Sequence, residues 1–344
     1  MFNRRQVLQA AAATAAASLA PTNSYAADPL VVATFPGTWN EAHRNVLTPY
    51  FKNRTKAEVT QTVLLATDQV SRMQAARGKA PFDVSIMDEG PLVDAIAAGV
   101  LEKYPADKSP NYADLLPQFK NEWGPTISIQ VIGIGYNPKK IKQPPKSWDA
   151  LWDPAYRGRV GLTALNSTLG LAFLVELARL KGGSETNADP AFAAIRQLLP
   201  NVGAVAANLG AFATLWQQEQ IDIAPYNFNF VQTLKDKGVD VEFAIPESGG
   251  VAWRTSLHVV KGAQQPELAV QYIDSHLAPE VQREMEHGPY YVIPTNSKVA
   301  YEGRVAEQIA KTPAELGRFR YQDWAKIAPR RSEWIERFNR DIKL

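Results

Sequence analysis

Short apolar runs alternate with helix-type patterns through the first third of this sequence. Residues 30–35 form a β-branched apolar run that predicts a buried strand, and residues 59–65 and 82–87 form two more. A helical pattern extends from residue 39 to about residue 56, and another helix is predicted after Gly90-Pro91. Strands that alternate with helices in this way predict an α/β fold with a parallel sheet.

Two longer β-type stretches, residues 127–136 and 249–260, interrupt this alternation farther along the chain. Between them, the pattern predicts a strand at residues 158–163 and a strongly apolar helix at residues 168–180. The two long stretches have the length and position to carry the chain from one lobe to another and back. We therefore predict two α/β lobes joined by two crossing strands, with a ligand cleft between the lobes.

The amino terminus has the pattern of an export signal. Arg4 and Arg5 precede an apolar run at residues 10–20, and Ser24-Tyr25-Ala26 supplies a small-x-small cleavage site near Ala26. The run is shorter than the roughly 20 residues that a spanning helix needs. The paired arginines favour a twin-arginine signal, and an ordinary secretory signal fits equally well. Either signal predicts a periplasmic protein.

Composition narrows the possible functions. The chain has 37 Lys and Arg against 35 Asp and Glu, and the leader holds two of the basic residues, so the remainder is balanced. This balance argues against nucleic acid or an anionic membrane as a partner. The sequence contains no cysteine, which excludes disulfides, thiolate metal sites and a cysteine nucleophile.

The sequence contains no recognisable catalytic motif. There is no G-x-S-x-G elbow, no phosphate-binding Walker loop and no glycine-rich dinucleotide fingerprint. The four histidines, His43, His258, His276 and His287, lack the spacing of a metal site. We therefore expect no enzymatic activity, no cofactor and no metal, with an extracellular enzyme as the alternative from another class.

Four sets of residues carry a resemblance to a known family. They are 133–137 (GIGYN), 145–160 (PKSWDALWDP-A-YRGRV), 246–250 (PESGG) followed by Trp253, and 291–296 (YVIPTN). In these motifs the chain resembles the periplasmic solute-binding proteins of ATP-driven (ABC) importers, in the extracellular solute-binding group that includes spermidine/putrescine and ferric-ion receptors. That resemblance implies the type II periplasmic-binding-protein fold, a small-molecule ligand, an inner-membrane permease complex as partner and a monomeric protein.

The resemblance also implies how the chain divides. The expected segments are the export signal at 1–26, lobe 1 at 27–134, lobe 2 at 135–255, a return to lobe 1 at 256–296, and C-terminal helices on lobe 2 at 297–344.

Nine residues near the predicted strand ends and crossings are candidates to contact the ligand: Trp39, Asp88, Asn166, Ser167, Tyr226, Asn227, Trp253, Arg254 and Tyr291. Trp39 can stack on a ligand or pack in the core, and Asp88 can pair with an ammonium or cap a helix. Ser167 can help to bind an anion at a helix start or simply cap it. Arg254 can hold a carboxylate or form a surface ion pair.

The charge of the ligand is the open question. By the resemblance, polyamine receptors carry acidic residues where this chain has Leu165, Thr168 and Thr255. Because a buried dication needs carboxylates at both ends, we favour an amino-acid-like zwitterion or organic acid, with a spermidine/putrescine receptor as the alternative. A ferric-ion receptor is less favoured, since adjacent Tyr290 and Tyr291 would point to opposite faces of an extended segment. A sensor would use the same clamp, so the sequence does not separate sensing from transport.

Overall fold

A computed structural model describes residues 28–76 and 79–342. The predicted export signal at residues 1–26 lies outside the described residues. Within those residues no helix is long and apolar enough to cross a membrane.

Helices and strands alternate along most of the described chain. The helices are α1 (Thr38–Ala42), α2 (Thr48–Thr55), α3 (Ala66–Ala75), α4 (Glu89–Ala97), α5 (Thr168–Leu180), α6 (Asp189–Leu198), α7 (Leu209–Gln217), α8 (Phe228–Asp236), α9 (Pro266–His276), α10 (Pro279–Glu286), α11 (Gly303–Gln308), α12 (Trp324–Ile327) and α13 (Arg331–Asp341). The strands are β1 (Leu30–Thr34), β2 (Val59–Val63), β3 (Val84–Asp88), β4 (Thr126–Tyr136), β5 (Val160–Thr163), β6 (Val202–Ala206), β7 (Ile223–Asn227), β8 (Glu242–Ala244), β9 (Val251–Val259) and β10 (Arg320–Tyr321).

The strands join into one mixed sheet with the order β2-β1-β3-β9-β4-β7-β5-β6. At one end β1 pairs in parallel with β2 and β3, and at the other β5 pairs in parallel with β6 and β7. The two long strands β9 and β4 lie between these parallel groups and pair antiparallel to each other, and β9 pairs antiparallel with β3 and β4 with β7. The predicted α/β fold with two crossing strands is therefore confirmed.

The apolar core separates into two main clusters along these crossing strands. The first cluster contains Ile129 and Val131 of β4, and the second begins with Ile132 of the same strand. On β9, Trp253 packs in the second cluster and Leu257 in the first. Each crossing strand thus contributes side chains to both cores, which is how one sheet connects two packed regions.

The C-terminal residues divide between the two clusters. Apolar side chains at residues 299–319 pack in the first cluster, and those at 324–342 pack in the second. The expectation from resemblance assigned the whole segment 297–344 to the second lobe. The chain passes from the first cluster to the second where β10 pairs in parallel with Val251 and Ala252 of β9, at the boundary between the clusters.

Candidate ligand site between the two apolar clusters

A cavity of about 520 Å³ lies between the two clusters. Much of its wall comes from segments that follow strand carboxyl ends, where open α/β sheets expose ligands. These segments are residues 35–39 after β1, 65–67 after β2, 166–169 after β5 and 207–210 after β6. Several helices consequently begin at the cavity, and their free N–H groups make its surface favourable to negative charge.

Seven of the nine candidate residues line this cavity. They are Trp39, Asp88, Asn166, Ser167, Tyr226, Asn227 and Trp253. Arg254 and Tyr291 do not line it.

Asp88 is the last residue of β3 and lies half-buried at the cavity. Its side chain does not cap α4, because both carboxylate oxygens turn towards threonine hydroxyls. Thr255 on the neighbouring strand β9 donates to Oδ1 at 2.8 Å, and Thr168 at the start of α5 donates to Oδ2 at 3.1 Å. Burial raises the pKa of Asp88 to about 6, although these hydrogen bonds lower it.

Thr168 and Thr255 are two of the positions where the resemblance led us to expect acidic residues. Here they are neutral donors to a single carboxylate. Leu165, the third such position, is buried in the second apolar cluster. The three positions therefore add no negative charge to the cavity.

The candidate aromatic residues form the walls of the cavity with little free surface. Trp39, Trp253 and Tyr226 are only 4, 2 and 0 % exposed. Trp39 meets Phe35 edge to face, with ring centroids 6.3 Å apart, and Tyr226 lies parallel to Phe230 at 6.1 Å. Phe35 and Phe230 also line the cavity and are only partly buried, so they offer more aromatic surface to a ligand.

Ser167 caps α5, since its Oγ accepts a hydrogen bond from the N–H of Gly170 at 3.1 Å. Asn208 does the same for α7 by accepting from the N–H of Ala211 at 2.9 Å. Both caps line the cavity, beside the exposed side chain of Asn166. The sequence analysis had missed Asn208, although an asparagine directly before a helical pattern is a known start signal.

Lys237 is a second residue absent from the sequence-based candidates. It lies just beyond α8 and lines the cavity from the exposed side. Phe230, Thr233 and Lys237 follow one another at helical spacing, so a single face of α8 contributes all three. Among the described residues, Asp88 and Lys237 are the charged side chains that line the cavity.

Arg254 lies outside the cavity because Glu89 holds it elsewhere. Its guanidinium forms an ion pair with Glu89 at 2.7 Å, and its backbone N–H donates to the same carboxylate at 2.9 Å. The guanidinium also lies 4.2 Å from the ring centre of Tyr321. Because adjacent strand residues point to opposite faces, Trp253 faces the cavity while Arg254 does not.

Tyr291 also has other partners. Its hydroxyl donates to Asp236 at 2.6 Å, and Arg304 lies 5.3 Å from its ring centre and pairs with Asp236. Burial and this hydrogen bond raise the pKa of Tyr291 to about 12. The neighbouring Tyr290 hydroxyl is 3.2 Å from the side-chain amide of Asn45, so the two phenols have separate surroundings.

Within residues 28–76 and 79–342, we find no cluster of three or more histidine, aspartate or glutamate side chains placed to hold a metal. Three of the histidines, His43, His258 and His276, are fully buried, and burial lowers the pKa of each.

Comparisons with known proteins agree with this architecture. The chain is 26 % identical over 214 residues to the spermidine/putrescine-binding periplasmic protein of Escherichia coli, covering 57 % of this chain and 58 % of that protein. It is 25 % identical over 270 residues to a gamma-aminobutyric acid-binding protein of Pseudomonas aeruginosa, covering 76 % of each. The match to the Escherichia coli protein thus spans less than two thirds of that relative's length.

Solved structures share the fold. An ABC transporter substrate-binding protein from Bradyrhizobium japonicum superposes with a TM-score of 0.75 at 19 % identity, covering 92 % of this chain and 99 % of that one. The predicted periplasmic-binding-protein fold is confirmed by this likeness. A family model described as bacterial extracellular solute-binding protein matches residues 80–328. The chain therefore belongs to the bacterial extracellular solute-binding protein family.

Proposed function

We propose that this protein is the periplasmic receptor of an ABC importer, which captures a small polar organic solute and delivers it to an inner-membrane permease. Family membership and the names of its relatives support this role. The proposed receptor performs no reaction on its solute and releases it unaltered. An incubation with solute, followed by mass spectrometry of the recovered compound, tests that part of the proposal.

Capture would occur by closure of two lobes about the crossing strands β4 and β9. We propose lobe 1 at residues 27–134 and 256–296 and lobe 2 at 135–255, with residues 299–319 assigned to lobe 1 because they pack in its cluster. A ligand favours the closed state only if it contacts both lobes there, since equal affinity for the two states shifts nothing. The cavity meets this requirement, because Trp39 lies on one side and Leu169 on the other.

The observation that carries the ligand proposal is the charge of the cavity. Asp88 is the one carboxylate among its described lining residues, and its neighbours Thr168 and Thr255 are neutral. A closed cleft with one carboxylate compensates one ammonium, and a second buried ammonium would remain unpaired at a cost of several kcal/mol. We therefore propose a solute with a single ammonium, bound by Asp88.

The opposite end of the solute would be acidic. Lys237 supplies a positive charge, and the capped starts of α5 and α7 supply oriented N–H groups. Arg254 does not contribute to binding of the acidic end, because its charge is neutralised by Glu89. An ω-amino acid such as 4-aminobutyrate has the required pair of charges.

Isothermal titration calorimetry with 4-aminobutyrate and putrescine tests the charge argument. The two compounds share a four-carbon chain and differ in whether the second end is an acid or an amine. We expect 4-aminobutyrate to bind and putrescine to bind at least tenfold more weakly. Tight binding of putrescine without binding of 4-aminobutyrate would contradict the proposal and favour the alternative, a spermidine/putrescine receptor, which the Escherichia coli relative suggests.

A further inference from the structure

A C-terminal strap, residues 320–331, contacts two helices, α4 and α5, whose first residues lie beside the cavity. The strap starts with β10, which pairs with β9 at Val251 and Ala252, and continues through α12 to the first residue of α13. Along this path it contacts first α5 and then α4. These are the helices whose starts meet through the hydrogen bond between Thr168 and Asp88.

The contacts with α5 come from the beginning of the strap. Gln322, which is buried, donates from Nε2 to the backbone oxygen of Ala172 at 2.8 Å. Arg320 lies 3.1 Å from the carboxylate of Glu176, whose side chain is fully buried and also accepts two hydrogen bonds from Arg179. Ala172 is one helical turn beyond Thr168, so these contacts fix α5 close to its cavity end.

The contacts with α4 come from the rest of the strap. The indole ring of Trp324 packs on Gly90, where an added Cβ would lie only 3.0 Å from ring carbon Cε3. Arg331 forms an ion pair with Asp94, one turn farther along the same helix. Gly90 is two residues beyond Asp88, so the strap holds α4 beside the carboxylate that lines the cavity.

We propose that the strap is a positioning brace that sets how closely Asp88 and Thr168 approach each other across the cavity. The two helices belong to different parts of the sheet, and their starts are joined by one hydrogen bond between side chains. The strap adds four contacts from a single continuous segment, two with each helix. Gln322 and Arg331 act through the helices and are positioning residues, since neither lines the cavity.

The chain offers a matched pair of variants for the test. Arg331→Ala removes the contact with Asp94, and Arg337→Ala on the same helix serves as the control. Both arginine side chains are 22 % exposed. Arg337 pairs with Asp189 and Asp341 and lies 4.2 Å from the ring centre of Phe192, so its partners are on α6 and α13 and not on α4. Gln322→Ala is the second brace variant, directed at α5.

Because the sequence has no cysteine, spin labels can be placed without a background. Lys108→Cys and Gln197→Cys are exposed positions beside the first and second clusters, and double electron–electron resonance reports the distance between them without any ligand. We expect Arg331→Ala and Gln322→Ala each to broaden and shift this distance distribution, and Arg337→Ala to leave it unchanged. An unchanged distribution in both brace variants would overturn the proposal, as would the same shift in Arg337→Ala.

Hydrogen exchange provides a second readout. In Arg331→Ala we expect the amides at the start of α4 to exchange about fivefold faster, the change that loss of one partly buried ion pair allows. The start of α4 should be unaffected in Arg337→Ala. Equal amide exchange rates at the start of α4 in the unmodified protein, Arg331→Ala and Arg337→Ala would contradict the proposed brace. Neither readout involves a solute, so this outcome is independent of whether the proposed transport function is correct.

Discussion

Two neighbouring carboxylates, Asp88 and Glu89, belong to regions of very different electrostatics. Glu89 is paired with Arg254 at 2.7 Å beside Tyr321, whereas Asp88 faces the cavity and accepts hydrogen bonds from the hydroxyls of Thr168 and Thr255. Burial raises the pKa of both carboxyl groups, and Arg254 counteracts this at Glu89. The comparison indicates that one carboxylate stabilises the protein and the other remains available to a cationic ligand.

The largest expected effect is on binding by Asp88→Asn. The amide keeps the shape of the side chain and removes the charge that the ammonium needs, so affinity for 4-aminobutyrate should fall about a hundredfold. Isothermal titration calorimetry measures this loss. The exposed variant Asp107→Asn is the control, and equal affinity in Asp88→Asn and the unmodified protein would refute the assignment of Asp88.

The next effect is on stability and concerns the other carboxylate. Arg254→Ala leaves Glu89 mostly buried without its cation and removes the stacking on Tyr321. We expect the free energy of unfolding in urea to decrease by about 2 kcal/mol, less than for a fully buried pair because both side chains keep some exposure. Asp88→Asn should change stability by much less, and the exposed variant Arg157→Ala should change it little. Equal stability of Arg254→Ala and the unmodified protein would remove the contrast between the two carboxylates.

The pH dependence of binding distinguishes the role of Asp88 from that of Glu89. Because the pKa of Asp88 is about 6 in the free protein, the carboxylate is protonated below that pH and cannot pair with an ammonium. Affinity for 4-aminobutyrate should therefore be constant above pH 7 and fall by up to about tenfold per pH unit below 6. Calorimetry at several pH values measures the curve. Glu89→Gln should retain it and Asp88→Asn should lack it, whereas loss of the curve in Glu89→Gln would reverse the assignment.

The smallest effect concerns the threonines that donate to Asp88. Thr255→Val removes a hydrogen bond that lowers the pKa of Asp88, so the pKa should rise and the midpoint of the binding curve should move to higher pH. We expect affinity at pH 7 to decrease by about threefold. Thr214→Val, at an exposed position on α7, should leave the midpoint in place. A shift of the Thr255→Val midpoint to lower pH would show that the hydroxyl does not stabilise the charged form.

Much of the fold could be predicted because the strands are short apolar runs bounded by clear turn signals. The run at residues 30–35 corresponds to β1, and the long stretch at 127–136 corresponds to β4. Six of the seven cavity residues followed from one rule, that ligand sites of α/β sheets lie where strands end, and the seventh, Trp253, followed from its place on the second crossing strand. Local sequence determines both the strands and the position of their ends.

The features of the site that the sequence did not predict depend on contacts between distant parts of the chain. Glu89 and Arg254 are 165 positions apart, so the ion pair that removes Arg254 from the cavity has no local signal. Adjacent side chains of a strand point to opposite faces, so the sequence could have placed Trp253 and Arg254 on different faces. The same argument was applied to Tyr290 and Tyr291. The face of α8 that presents Phe230 and Lys237 had a helical spacing in the sequence, but only the packing of α8 shows which face meets the cavity.

Small-angle X-ray scattering tests the central claim most directly, that a solute is clamped between two lobes. A thermal-shift screen of small amines, amino acids and organic acids first identifies a compound that raises the melting temperature, since ligands of the folded state stabilise it. Scattering is then recorded with and without that compound at saturation, with occupancy established by calorimetry. We predict a smaller radius of gyration in the bound state. Superimposable profiles at full occupancy would contradict closure about β4 and β9.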